Sequence, residues 1–206
     1  MARRARRLDL GIFLAALLAG SCADLRTAGV DSPPPAAPEP VALPTPLPFR
    51  VGITRWEPGP VADALAQRLR KTNLFAEVYY PLESGAEMDA AIELVIRRKI
   101  DRHPRFGETL AAAVTLGMAE GTMAERYTSE VDAELSLRVG ERTLRRILRS
   151  TRVDVTVQPR STNGVVWKAT DECAGGPLAA ELVDELSKEP EKLAAEIAAR
   201  PASGTP

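Results

Sequence analysis

The chain has 206 residues and a nearly balanced charge, 27 basic against 28 acidic side chains for a formal charge of −1, and 45% of its residues are apolar. That length supports one domain with a real core, and the balance excludes a general nucleic-acid binder, which needs a clustered basic surface to neutralise phosphates. One histidine and two cysteines leave too few ligands for metal sites built on His and Cys.

The first element is an export signal. Arg3, Arg4, Arg6 and Arg7 precede an uncharged Leu/Ala-rich run from Leu10 to Leu18, and small residues then lead to Cys22. A basic start, a short apolar core and a small-residue cut site form a secretory signal peptide. The apolar run rises only about 13 Å as a helix, too short for a hydrocarbon core of about 30 Å, so a lasting transmembrane helix is not expected. The run Leu18-Ala19-Gly20-Ser21-Cys22 resembles the lipobox of bacterial lipoproteins, with Ala19 where Leu is commonest. The resemblance implies removal of residues 1–21 and lipidation of Cys22, which would carry a diacylglyceryl group and an N-acyl chain of the palmitate kind. Three chains, at about 0.8 kcal/mol per buried CH₂, would make detachment negligible. The alternative is an ordinary secretory cut near Ser21 that leaves Cys22 a plain thiol. In enteric-type lipoproteins an Asp directly after the cysteine retains the protein in the inner membrane; Ala23 occupies that place, so the resemblance points to the outer membrane and a domain facing the periplasm. Cleavage removes four Arg and one Asp, leaving 23 basic and 27 acidic residues, a mild −4.

Residues 22–48 read as the lipidated cysteine and a linker. Pro33, Pro34, Pro35, Pro38, Pro40, Pro44, Pro46 and Pro48 fall within sixteen residues. Proline locks φ and removes a donor, so neither helix nor sheet is expected here. A polyproline-like spacer at about 3.1 Å per residue would reach about 80 Å and carry the domain clear of the headgroups. The folded domain is expected over 49–200, with a disordered tail at 201–206.

Within the domain, Phe49 to Thr54 alternates as a strand. A helix starts near Pro60, suited to a first turn, with Val61, Leu65 and Leu69 on one stripe and Ala62 and Ala66 beside them. Asp63 lies near its positive end, and Arg68, Arg70 and Lys71 near its negative end. Asn73 is a plausible stop. Phe75 to Tyr80 is a second strand, ended by Pro81. Ala91 to Asp101 alternates with Ile92, Leu94, Ile96 and Ile100 on one face. The segment 108–126 is ambiguous: Ala and Leu favour helix, Gly117 and Gly121 weaken it, and their G-x-x-x-G spacing fits a bent soluble helix or a piece that meets a membrane. Tyr127 to Val139 alternates, with Val131, Ala133, Leu135 and Leu137 inward and Glu130, Asp132, Glu134 and Ser136 outward. Leu144 to Val157 pairs back as a strand, or begins as helix over 142–152. Val165 to Ala169, with Trp167, reads as a short final strand or turn. Leu178, Leu182 and Leu186 stripe a helix, Pro190 interrupts it, and Leu193 and Ile197 continue on a second.

The expected fold is α/β: a two-layer sandwich with a mixed, mostly antiparallel sheet covered by helices on one face. The pattern Val51-Gly52-Ile53, the helix ending Leu69 to Asn73, Leu74-Phe75-Ala76-Glu77-Val78 and the strand Ala91 to Asp101 resembles the periplasmic module of curli-secretion-type lipoproteins and of the Tol-Pal propeller protein's amino-terminal domain. Members of that kind act in envelope assembly or export, mostly by binding.

No G-x-S-x-G elbow, H-E-x-x-H helix, P-loop or C-x-x-C pair is present. A Ser-His-Asp triad would have to use His103, which precedes Pro104 in what reads as a solvated loop. Two acids suffice for glycoside chemistry, but Glu130, Asp132 and Glu134 fall on the outward face of an alternating strand. Cys173 reads as a quiet, partly buried thiol. In a chain with 4% aromatics, Trp56, Tyr79 and Tyr80 are the candidate interface residues. No catalytic residue, cofactor or metal is expected. The sequence therefore points to a non-enzymatic, lipid-anchored envelope lipoprotein that binds an envelope protein partner or supports an assembly. The alternatives are a subunit of an outer-membrane secretion or pore complex and a carboxylate-dependent hydrolase, the last requiring a deep cleft with two facing acids.

Overall fold

The computed structural model describes residues 37–54, 59–82, 85–103, 125–157 and 163–199. Their elements, in chain order, are β1 (Leu47–Thr54), α1 (Pro60–Lys71), β2 (Phe75–Tyr79), β3 (Ala90–His103), β4 (Glu125–Val139), β5 (Arg142–Val157), α2 (Asn163–Leu186) and α3 (Pro190–Ala198). The five strands form one sheet in the order β2-β1-β3-β4-β5. β1 lies parallel to both β2 and β3, while β3, β4 and β5 run antiparallel. The fold is therefore the expected α/β two-layer sandwich with a mixed sheet.

The alternation predicted from the sequence sets the sheet's two faces. Val51, Ile53, Ile92, Leu94, Val131, Ala133, Leu135, Leu137, Val153 and Val155 are buried in one core with the α1 stripe Val61, Leu65 and Leu69. α2 adds Leu178, Leu182 and Leu186, and α3 adds Leu193 and Ile197. Each buried Val, Leu and Ile side chain among these contributes roughly 1.5–3 kcal/mol of burial. The opposite face carries Glu93, Val95, Arg97, Glu130, Asp132 and Glu134. β1 meets β3 only as far as Thr54 opposite Glu93, whereas β3 stays paired with β4 to His103. The three antiparallel strands thus extend beyond β1, roofed by the N-terminal half of α2.

Three details depart from the sequence reading, and one alternative left open there, helix or strand over Arg142 to Arg152, is resolved. The stretch Val165 to Ala169 is not a strand or turn: it lies in the 24-residue α2. β-branched residues such as Val165 and Val166 favour extended chain, and Gly175, Gly176 and Pro177 are poor helix formers. The helix persists because Val166, Thr170, Ala174, Leu178, Leu182 and Leu186, all buried, recur every four residues. Burial of that stripe outweighs the low propensities and the amide that Pro177 lacks. Gly175 has its own reason: a Cβ there would stand 3.1 Å from the Pro60 carbonyl oxygen, so any larger residue would push the start of α1 back by a few tenths of an ångström.

The stretch Arg142 to Arg152 is strand throughout, not helix, paired residue by residue with β4 and interrupted by one register shift between Leu137 and Arg138. The strand at the domain's start begins at Leu47, inside the proline-rich segment, and includes Pro48; the β1–β2 register shifts between Leu47 and Arg50, which is where a residue without an amide donor is tolerated. Finally, His103 closes β3 instead of sitting in a loop. Cys22, Trp56, Gly117 and Gly121 lie outside the described residues, as does nearly all of the ambiguous segment, so its helix or membrane reading does too.

Candidate functional site

The best-built polar arrangement is the docking of the proline-rich segment onto α1. Helix α1 ends where the Thr72 hydroxyl bonds the Arg68 and Leu69 carbonyls and Asn73 takes a left-handed φ of 53°, a conformation asparagine tolerates better than most residues. The turn this creates holds the incoming chain. The Leu43 amide donates to the Thr72 carbonyl at 2.9 Å, the Asn73 side-chain amide donates to the Leu43 carbonyl at 3.2 Å, and the Leu47 amide donates to the Leu74 carbonyl at 3.0 Å. Leu43 itself packs against the core. One turn back, the buried Arg68 guanidinium donates to the Pro38 carbonyl and to Asp184 of α2, the latter at 3.1 Å. Ala37 to Pro40 thus line a shallow recess of about 220 Å³ with Ala64, Gln67 and Gly176. The residues from 37 to 46 are almost all apolar or proline; no pattern in them announces the contact, and the signal was Arg68, an arginine on the apolar side of α1.

A second arrangement is the open face of the sheet. Glu134, between Val95 and Leu148 in register, accepts from Arg146 and lies 3.8 Å from Arg97. The Arg146 hydrogen bond holds its carboxyl below the usual range, and the Arg146 and Arg97 charges act the same way against the opposing effect of burial. Asp132 accepts from Ser150. These predicted outward acids therefore sit on a sheet surface, occupied by cross-strand partners.

At the far end of the same face, the Thr128 hydroxyl donates to Asp154 at 2.6 Å and stands 2.8 Å from His103 Nε2. Because that hydroxyl proton goes to a carboxylate, the imidazole is the donor to Thr128. Activation of a hydroxyl requires the reverse, with imidazole accepting its proton. The group ties three strands together.

The face under α2 carries its own ion pairs. Asp171, 5% exposed, takes both Nε and Nη2 of Arg98, the Nε contact at 2.6 Å. Arg145 reaches Glu196 of α3 and Glu189 of the turn before it, and Arg149 reaches Glu181 and Glu185 of α2. Beside them an open recess of about 350 Å³ is lined by Arg145 to Arg149 and Glu185.

Of the predicted interface residues, Tyr79 donates to Glu77, a bond that raises its phenol pKa. Tyr80 packs against the core and accepts from the Gly59 amide at 3.3 Å, so it joins the end of β2 to the start of α1. Cys173 is a free, half-buried thiol on α2, raised in pKa by burial and then by the Glu172 charge. Among the described residues no group of three His, Cys, Asp or Glu is placed to hold a metal ion, and no helix is long and apolar enough to cross a membrane.

No family model and no curated protein matches the sequence. Among solved structures the chain is similar to protein XCC0632 of the DUF330 family from Xanthomonas campestris, at 13% identity and a TM-score of 0.39, covering 82% of this chain and 97% of that one. It is also similar to the rare lipoprotein B from Shewanella oneidensis, at 10% identity and a TM-score of 0.38, covering 70% of this chain and 96% of that one.

Proposed function

We propose that this protein is a lipid-anchored lipoprotein of the bacterial cell envelope, held through Cys22 and facing the periplasm from the outer membrane, whose domain binds an envelope protein and performs no chemistry of its own. The observation that carries the reading is the union of the lipobox at Leu18 to Cys22 with a proline-rich segment that docks onto the domain from Ala37 onward. Docking shortens the spacer. Only residues 23–36 separate the lipidated cysteine from the dock, about 43 Å of chain at the polyproline rise of about 3.1 Å per residue. The domain is held near the membrane with the C-terminal end of α1 towards the tether, and it presents the sheet to a partner.

The test is intact mass and membrane fractionation of wild type against Cys22→Ala. Wild type should lose residues 1–21, gain acyl mass and sediment with membranes, while the variant stays unacylated. A wild-type chain recovered soluble and without acyl mass refutes the anchor. Crosslinking of the anchored wild type in envelopes should then trap a protein partner, and turnover of glycan substrates by the purified domain would refute the non-enzymatic reading.

A further inference from the structure

We propose that residues 37–46 are a releasable strap: docked on α1 and α2 they hold the domain close to its anchor, and peeled away they lengthen the tether while the domain stays folded. The change of tether length rests on the anchor at Cys22 proposed above, whereas the strap is built from the contacts of the domain itself. Between residues 37 and 46 the half-buried positions are Ala37, Pro40, Leu43 and Pro46, one in every three, and the residues between them are exposed. A repeat of three is that of a polyproline helix laid along a surface by one edge. None of these side chains is buried, whereas Leu47, the next in the chain, is.

The contacts that hold the strap lie in series. Arg68 donates to the Pro38 carbonyl, the Leu43 amide donates to the Thr72 carbonyl, and the Asn73 side chain donates to the Leu43 carbonyl. A pull from the anchor arrives at the Ala37 end, so these bonds open one after another and not together. Opening stops at Leu47, whose side chain is buried and whose amide is bonded to Leu74 as β1 begins. Release leaves the domain's own bonds in place. Arg68 keeps Asp184 at 3.1 Å. Its Nε, buried in the docked state without a hydrogen-bond partner among the described residues, opens to water once Ala37 to Pro40 leave the recess they line with it. Helix α1 keeps its end, because the Thr72 amide and hydroxyl bond carbonyls of the helix itself.

Proline turns release into length. Pro38, Pro40, Pro44 and Pro46 keep the freed chain extended. The spacer then runs from Ala23 to Pro46, about 74 Å at about 3.1 Å per residue, against about 43 Å when docked. The same stiffness lowers the entropy lost each time the strap docks again. Opening a few solvent-side contacts belongs to the low-stability end of local unfolding, so the two states exchange without disturbing the sheet. The domain thereby meets partners at two distances from the membrane.

The test uses the full chain in vesicles of phosphatidylethanolamine and phosphatidylglycerol. The Leu43 amide should exchange at least about a hundredfold faster than those of Val51 and Ile53 in β1, and with little dependence on denaturant, because its opening is local. Arg68→Met should quicken Leu43 exchange by about tenfold or more and Asn73→Gly, which keeps the left-handed turn, by about threefold. Leu182→Ala weakens the core in both strap states, so it should quicken Val51 and Ile53 and leave Leu43 unchanged. Adding Leu43→Pro to Arg68→Met and Asn73→Gly removes every strap bond and gives the released form. By circular dichroism that form should stay folded. With Cys173→Ser as background and a fluorophore on Val95→Cys, 39% exposed at the native residue, it should lose energy transfer to acceptors on the lipid headgroups relative to the docked chain. Three results would each overturn the proposal. One is Leu43 exchanging in step with Val51 and Ile53 in Leu182→Ala and in denaturant. Another is a released form that unfolds. The third is a released form whose energy transfer equals that of the docked chain. A docked chain with no energy transfer at all refutes the anchor instead, and the exchange of Leu43 still decides the strap.

Discussion

The sheet has two edges, and they are finished differently. β2 is five residues long, and Arg70 of the neighbouring helix covers its backbone, donating to the Val78 and Tyr80 carbonyls at 3.0 and 3.1 Å. β5 is about three times that length, and its arginines are committed mainly to carboxylates on α2, α3 and β4, with one backbone carbonyl covered. An edge closed through its carbonyls is a finished surface. An edge whose arginines are held by acids keeps most of its own backbone available. The contrast teaches that the same residue type either blocks a strand or leaves it open, depending on what it bonds.

The largest expected effect tests whether both edges hang on one core. Leu182 is fully buried on α2, and Leu182→Ala should cost about 2–5 kcal/mol through lost burial and the cavity left behind. Chemical denaturation should give a single cooperative transition with an unchanged slope. Two separated transitions would mean that the β2 side and the β5 side fold independently, and the comparison would then be one between two units.

Asp171→Ala should come next and act on one side. Removing one partner of a buried, bidentate pair costs about 3–5 kcal/mol when both groups are fully desolvated. The Arg98 side chain stays 24% exposed, so about 2 kcal/mol is expected, below that range because solvent screens the pair. Hydrogen exchange should show lost protection in the far halves of β3, β4 and β5, beneath α2, with β1 and β2 changed less. Equal loss at both edges would show that the roof of α2 is not specific to the extended strands.

How much of this was legible in the sequence follows from the physical scale of each signal. Strands β3 and β4 alternate between core and solvent, and α1 shows its stripe in Val61, Leu65 and Leu69; both are periodicities of burial, and both read through. Helix α2 read through only in its C-terminal part, at Leu178, Leu182 and Leu186; its first half did not, because there the stripe passes through Thr170 and Ala174, which are weakly apolar, and because Gly175 fits the approach of Pro60, a residue far away along the chain. The arginines of β5 looked equally suited to helix or strand, since the partners that decide it lie on other elements. Of the candidate surface, Glu130, Asp132 and Glu134 were correctly placed outward. The dock of the proline-rich segment was missed because it rests on backbone carbonyls, those of Pro38 and Leu43, which leave no trace in residue type.

Arg70→Ala probes the finished edge. It removes two exposed hydrogen bonds to carbonyls, worth together about 1 kcal/mol at most for solvated groups. The expected change in melting temperature is therefore small. Exchange of the β2 amides should rise while β5 is unchanged. If Arg70→Ala also makes the chain self-associate, then β2 is the edge that this arginine keeps from pairing.

Acid separates the two edges without any substitution. Glu134 is held low chiefly by its bond from Arg146, and Glu185 chiefly by its bond from Lys188, with Arg149 adding to it. A carboxylate whose folded pKa is depressed contributes stability above its unfolded value, about 4.3 for Glu, and that contribution is lost as pH falls through the folded value. Between about pH 7 and pH 5 both edges should therefore behave alike. Below about pH 4, protonation of Glu134 and Glu185 releases Arg146 and Arg149, and β5 should loosen first. The carbonyl partners of Arg70 do not titrate, so that contact at β2 persists. Amide exchange corrected for its intrinsic pH dependence, followed on both strands, reads the order directly. Loss at β2 before β5 would show that the carboxylates are not what holds the β5 arginines in place.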